Sequence, residues 1–292
     1  AIFTSNGRIE SSVGKHMASR SNCMNKLVRF LDKNKNAPYS VKKRVLDACV
    51  TTSILYGCEA WLSEKSWSKI NIMYMKGIKM LLGVRSNTTN DVCLLESGYP
   101  SLSALVKSRQ KLFFQNMIRE RKDMSDDPLM HSLNITHSDN PVLSRYINSL
   151  LQHEGDFIDI DIENRKERVR NSSGTKLLTY VSINPTLEIH PIYKGKSKVD
   201  DYLRVAFTRL RTSSHRLRIE TGRWSRIEAD RRLCQCKVGV QTEKHALCQC
   251  DLVNDMREKY GCSSIDFDEF MRDDKACYEL LMLHELLKKL EK

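Results

Sequence analysis

The chain has 292 residues, of which 40% are hydrophobic and 29% charged, with a formal net charge of +12. That length allows about two domains with a real core, no apolar run approaches a membrane span, and no secretory signal opens the chain. The charge favours polyanionic partners. It falls in two basic blocks, 1–150 and 164–250, separated by an acidic stretch at 151–163 and followed by an acidic tail.

The opening run, AIFTSNG, reads as the end of a strand and a turn, and the chain as a piece of a longer polypeptide. Residues 11–36 predict a helix with a basic face (Lys15, Arg20, Lys26, Arg29), broken at Asn34–Pro38. Ser40 is placed to cap a second helix, whose stripe runs through Val41, Val45, Cys49, Thr52 and Leu55 until Gly57 ends it. Ser66 is placed to cap a third, with Ile70, Tyr74, Ile78 and Leu81 on its apolar face and Gly83 at its C-terminus. A short helix over Asp91–Gly98 follows, then a longer one from Leu102 to Arg121. Residues 1–122 therefore predict a helical bundle joined by short loops.

Residues 123–196 read as an irregular connector with a small β element. A helix is expected around Leu143–Gln152 and a strand over Leu177–Ile183, bounded by Pro185 and Pro191. From 197 to 292 a helical region returns. Ser197 and Asp200 resemble a capping box, Leu203, Phe207, Leu210 and Leu217 share one face, and a last helix spans Tyr278–Leu290. The expected class is mainly α.

Ten cysteines at irregular spacing do not form a secreted disulfide framework. Cys23, Cys49, Cys58 and Cys93 fall in apolar helical patterns, where a thiol behaves as a small hydrophobe. A reducing intracellular setting follows as the expectation.

Four cysteines crowd into LCQCKVGVQTEKHALCQC, Leu233–Cys250. Thiolates grouped with one imidazole suit a tetrahedral zinc ion. The ligand set is Cys234, Cys236, His245 and Cys250, with Cys248 competing for the fourth position. His245 and Cys248 would converge on a regular helix, whereas His245 and Cys250 need an irregular turn. The C-x-C spacing is shorter than usual. Four protein ligands leave no open position, so the ion would be structural. The competing reading is unmetallated thiols under a helix, or two of them paired oxidatively.

Upstream, residues 203–232 hold nine arginines and no lysine: Arg204, Arg209, Arg211, Arg216, Arg218, Arg223, Arg226, Arg231 and Arg232. Their planar forks suit phosphate, and His215 and Trp224 offer stacking surfaces. Such contacts give affinity without sequence reading, with a steep salt dependence. The competing reading is a solvated face whose arginines pair with acids of the same chain. Asp126–Asp127 reads as solvated loop, and no Gly-rich phosphate loop, G-x-S-x-G or H-E-x-x-H occurs.

Val45–Trp61, with its Leu55, Tyr56, Gly57, Glu59 and Trp61 string, resembles the helical region after the palm in reverse transcriptases of non-LTR (LINE-type, jockey-like) retrotransposons. So does Ile70–Val84, ending in Leu82, Gly83 and Val84. His215–Arg226 and the Cys/His cluster are similar to the C-terminal end of such polyproteins. The resemblance implies a thumb plus C-terminal zinc knuckle that clamps template–primer duplex, element RNA or target DNA during target-primed reverse transcription. It implies, too, that the polymerase aspartates lie in palm and fingers outside this sequence, and that the ribonucleoprotein works in nucleus and cytoplasm. The rival is a domesticated or decayed element acting as a protein-interaction module, its arginines consumed internally beside an exposed apolar groove.

Overall fold

The computed structural model describes residues 9–61, 67–121, 141–194 and 199–291. The opening strand and turn, the Ser66 cap, the Asp126–Asp127 loop and the Ser197 capping box lie outside the described residues. The described chain is helical: α1 (Ile9–Lys33), α2 (Tyr39–Leu46), α3 (Trp67–Leu82), α4 (Asn90–Ser97), α5 (Leu102–Arg121), α6 (Pro141–Gln152), α7 (Phe157–Arg170), α8 (Thr175–Ile183), α9 (Asp201–Arg211), α10 (Arg218–Trp224), α11 (Asn254–Lys259), α12 (Phe267–Arg272) and α13 (Cys277–Leu290). Among the described residues there is no sheet, only one isolated antiparallel bridge between Leu233 and Val240. The mainly α class stands. None of these helices is long and apolar enough to cross a membrane.

The middle of the chain departs from its sequence reading. Leu177–Ile183 is not a strand; it is most of α8, and the connector carries three helices, α6, α7 and α8. Tyr180 and Ile183 are buried at helical spacing while Leu178 is exposed, so packing overrides the β-branched composition. Cys49 is exposed rather than tucked into an apolar stripe. Cys58 and Cys93 do behave as small hydrophobes, and burial pushes both thiols up to about 12.

The chain forms two compact units, each gathered from three segments. The first comprises Ala1–Lys26, Asp47–Met75 and Tyr99–Arg165, the second Leu27–Leu46, Lys76–Gly98 and Lys166–Lys292. In the first, a π turn at Asp47–Thr51 leads into a short helical turn, Thr52–Ile54. Helix ends leave carbonyls without partners, and here α1 supplies them. His16 Nε2 donates to the Ile54 carbonyl at 3.0 Å and Arg20 Nε to that of Ser53 at 3.1 Å. The following turn is held by an enclosed amide. Gln110 of α5 donates to the Cys58 and Trp61 carbonyls at 3.0 and 2.8 Å and accepts from the Tyr146 hydroxyl at 2.7 Å. Replacing Gln110 with Ala strands those groups, so urea unfolding should show a loss of about 2–3 kcal/mol. An unchanged midpoint would show the network to be idle.

In the second unit α9 lies along α13, burying Leu203, Phe207 and Leu210 with Leu280, Leu283 and Leu287. Gly83 ends α3 at φ +72°, and a Cβ there would stand 2.7 Å from the Val205 methyls. Only glycine lets this helix end approach α9 so closely. Arg204 uses that approach: its guanidinium donates to the Leu81 carbonyl at 3.0 Å and to Asp201 at 2.8 Å, while Lys42 meets Asp201 at 2.5 Å.

Candidate metal centre

The chain from Leu233 to Cys250 forms a hairpin followed by one wide helical turn. In the hairpin the Cys234 N–H donates to the Gly239 carbonyl at 2.8 Å, and the Lys237 N–H donates back to the Cys234 carbonyl at 3.0 Å. Lys237 takes a left-handed conformation, φ 65°, which closes the turn. Cys234 and Cys236 both meet the cluster across this short loop, which is how a C-x-C spacing serves as the first half of the site.

The second half rests on a departure from α geometry. His245–Gln249 is a π turn, closed by the Cys250 N–H donating to the His245 carbonyl at 2.8 Å. On an α-helix, residues five apart point to different sides; an i→i+5 turn brings the fifth back over the first. Cys250 therefore joins His245, and Cys248 is carried out of the set. Thr242 starts the turn by accepting the His245 N–H at 3.0 Å, and the buried Arg257 satisfies the turn's carbonyls at Leu247 and Cys250, at 3.3 and 2.8 Å.

Cys234, Cys236, His245 and Cys250 offer donor atoms that all lie within 4.8 Å of one another, and together they could hold a metal ion. Cys234 and Cys250 sulfurs are 3.6 Å apart, and the Cys236 sulfur is 3.2 Å from His245 Nε2. A tetrahedron with metal–sulfur bonds of about 2.3 Å has donor–donor edges near ~3.7 Å, so the spacing fits. The electrostatics fit as well. Burial, then the neighbouring thiols, push Cys250 up to about 12 against the opposing Leu252 N–H; three thiols crowded together resist ionising without a cation. Burial also lowers the pKa of His245, keeping the imidazole neutral as a ligand must be. At Cys236 burial, the largest single effect, pushes the pKa up, but the Val238 and Gly239 N–H groups and the adjacent thiols together outweigh it, so its pKa is lowered.

Three residues that the sequence reading passed over hold this site to the rest of its unit. Gln241 points its amide at the Cys234 sulfur (3.7 Å) and the Leu290 carbonyl (3.4 Å), while its oxygen accepts from the Arg218 N–H at 2.7 Å. Glu243, buried, accepts from His215 Nε2 at 2.8 Å and Ser213 Oγ at 3.3 Å. Arg257 is the third. Gln and Glu between ligands carry no sequence signal, and Arg257 lies in an unremarkable amphipathic run.

The arginine arm divides. Arg204 and Arg211 are 2% and 1% exposed. Arg204 is bound to Asp201, and Arg211 Nε lies 2.6 Å from the enclosed Glu96. Neither is a surface group, and His215, also buried, is no stacking platform. Arg223 pairs with Glu220 at 2.9 Å. Arg232 turns inward onto the Ile227 and Ile219 carbonyls, its stem on Gly222, where a Cβ would lie 2.6 Å from Arg232 Cγ. Arg209, Arg216, Arg218, Arg226 and Arg231 are exposed; Arg231 keeps a loose surface pair with Glu228 at 3.3 Å. Trp224 is 50% exposed. Over its ring, at 4.3 Å, sits the Arg85 guanidinium, steered there by the His215 carbonyl at 2.7 Å. Arg85 sits in a polar loop far from the arm in sequence, and only the fold brings it in.

Scans against protein-family models, curated proteins and solved structures find no match for this chain.

Proposed function

We propose that this chain is the thumb and C-terminal portion of a non-LTR retrotransposon reverse transcriptase, and that its share of the work is to grip nucleic acid. The observation that carries the reading is a Cys/His cluster at the end of a segment that leaves Arg216, Arg218, Arg226 and Arg231 exposed and the Trp224 ring half-exposed. Arginines supply phosphate contacts, and an aromatic face braced from behind by Arg85 stacks an unpaired base. The ion is zinc, the metal that three thiolates and an imidazole select among common divalent ions. With four protein donors it stiffens the hairpin and supplies no reacting water. The nucleic acid is template–primer duplex, element RNA or target DNA, and palm and fingers are the protein partners.

The rival, an interaction module, draws support from Arg204, Arg211, Arg223 and Arg232 being engaged within the chain. The outward arginines weigh against it. Retention of an RNA–DNA duplex by the metal-loaded protein should fall steeply with salt. Changing Arg216, Arg218 and Arg226 together to Ala should flatten the slope of log affinity against log salt by about 2–3. Salt-indifferent retention would favour the rival.

A further inference from the structure

A groove of about 420 Å³ opens on the second unit, apart from the cluster and the Trp224 face, between the end of α1, the end of α3, α9 and α13. Its volume is within the roughly 300–1,000 Å³ of ordinary ligand sites. The floor is apolar, with Leu31, Met80, Leu81, Val205 and Ala206. The acid beneath it, Asp201, is already neutralised by Lys42 and Arg204. The rim carries four other kinds of group. Arg209, exposed, donates its Nε to the Gly83 carbonyl at 2.8 Å, which aims the guanidinium and leaves its two terminal nitrogens without a partner among the described residues. Lys35 stands exposed on the same rim, as does the carboxylate of Asp32. Tyr202, 40% exposed, meets His284 edge to face with ring centroids 5.1 Å apart.

We infer that this groove binds one nucleotide unit. A preset arginine fork and a lysine answer a phosphate. A lone carboxylate would repel a bare phosphate but accepts hydroxyl protons, which suits a ribose beside it. The Tyr202–His284 pair over an apolar floor takes a flat base. Phosphate, sugar and base are thus each matched by a different part of one rim, and the inference does not depend on the proposal above.

Titration of the full, metal-loaded chain with adenosine monophosphate, and separately with oligoadenylate and inorganic phosphate, tests it. The monophosphate should bind more tightly than phosphate alone. Arg209→Ala and Tyr202→Ser change exposed side chains, so the fold should survive, and each should weaken binding by about tenfold or more. If both also weaken oligoadenylate, the unit belongs to a strand; if only the monophosphate responds, the ligand is the free nucleotide. Affinities for both probes that ignore both substitutions overturn the inference. No binding of either oligoadenylate or the RNA–DNA duplex by the unaltered chain, with the monophosphate still dependent on Arg209, would sink the nucleic-acid proposal and leave the groove standing.

Discussion

Cys250→Ser should abolish retention of one zinc per chain, whereas Cys248→Ser should leave it intact. The contrast is sharp because Cys250 lies in the donor set and Cys248 does not. Structural zinc is worth about 10–16 kcal/mol in isolated fingers, comparable with the entire stability of a domain. Besides its ties through Gln241, Glu243 and Arg257, the hairpin is held by a single bridge at Leu233–Val240, with no strand among the described residues. Chelation should accordingly speed amide exchange across Leu233–Cys250 by orders of magnitude, with Gln241 passing part of the loss to the last turn of α13 through the Leu290 carbonyl. Mass spectrometry of the native protein reads metal content, and exchange reads the consequence. Zinc retained by Cys250→Ser, or lost from Cys248→Ser, would overturn the assignment.

The second large effect belongs to an arginine that never reaches the surface. Arg211→Ala should destabilise the second unit by about 3–5 kcal/mol, the cost of leaving a buried charge unpaired. Glu96 is fully enclosed, and one of its oxygens has no hydrogen-bond partner. Burial, the largest single effect, opposes the Arg211 charge, but Glu96 together with Tyr180 and Tyr193 outweighs it and holds the guanidinium pKa above its ordinary value. Substituting both partners together, Glu96→Leu with Arg211→Met, should recover most of the loss, because an apolar pair of similar size needs no counter-charge. Arg216→Ala, on the surface, should move the urea midpoint by less than about 0.5 kcal/mol equivalent. Equal effects at Arg211 and Arg216 would contradict the division of the arm.

That division marks where the sequence stops being readable. Arg204 and Arg211 lie seven residues apart on the same face of α9 as Phe207 and Leu210, and Arg209 lies away from it; helical spacing contained the signal, and counting arginines hid it. Trp67–Leu82 follows directly from apolar periodicity, with its Ile70, Tyr74, Ile78 and Leu81 stripe buried, whereas in Leu102–Arg121 the apolar Leu112 and Phe113 face solvent and Leu102, Val106, Gln110 and Phe114 form the packed face. The π turn is different in kind. Whether His245 pairs with Cys248 or Cys250 depends on one backbone hydrogen bond that Arg257 and Thr242 stabilise from outside the motif, and no residue in HALCQC announces it. The charged run at Phe157–Arg170 alternates apolar and acidic residues in its first half and lacks a helical stripe. Its helix is tied down by Asp161, which accepts from the Ser101 N–H and hydroxyl at 3.0 and 2.9 Å, a contact set by tertiary structure.

The interleaving of the two units carries a consequence for how the chain comes to be folded at all. Each is assembled from three stretches of sequence, and the second ends with Lys166–Lys292. During synthesis, α1 and α3 residues destined for that unit emerge long before α9 and α13, and must wait without their core partners. Closing such distant pairings is slow, and apolar surface exposed meanwhile invites aggregation. The same threading means that neither unit can be lifted out by a single pair of cuts. Recombination would have to transmit this region as one inseparable block.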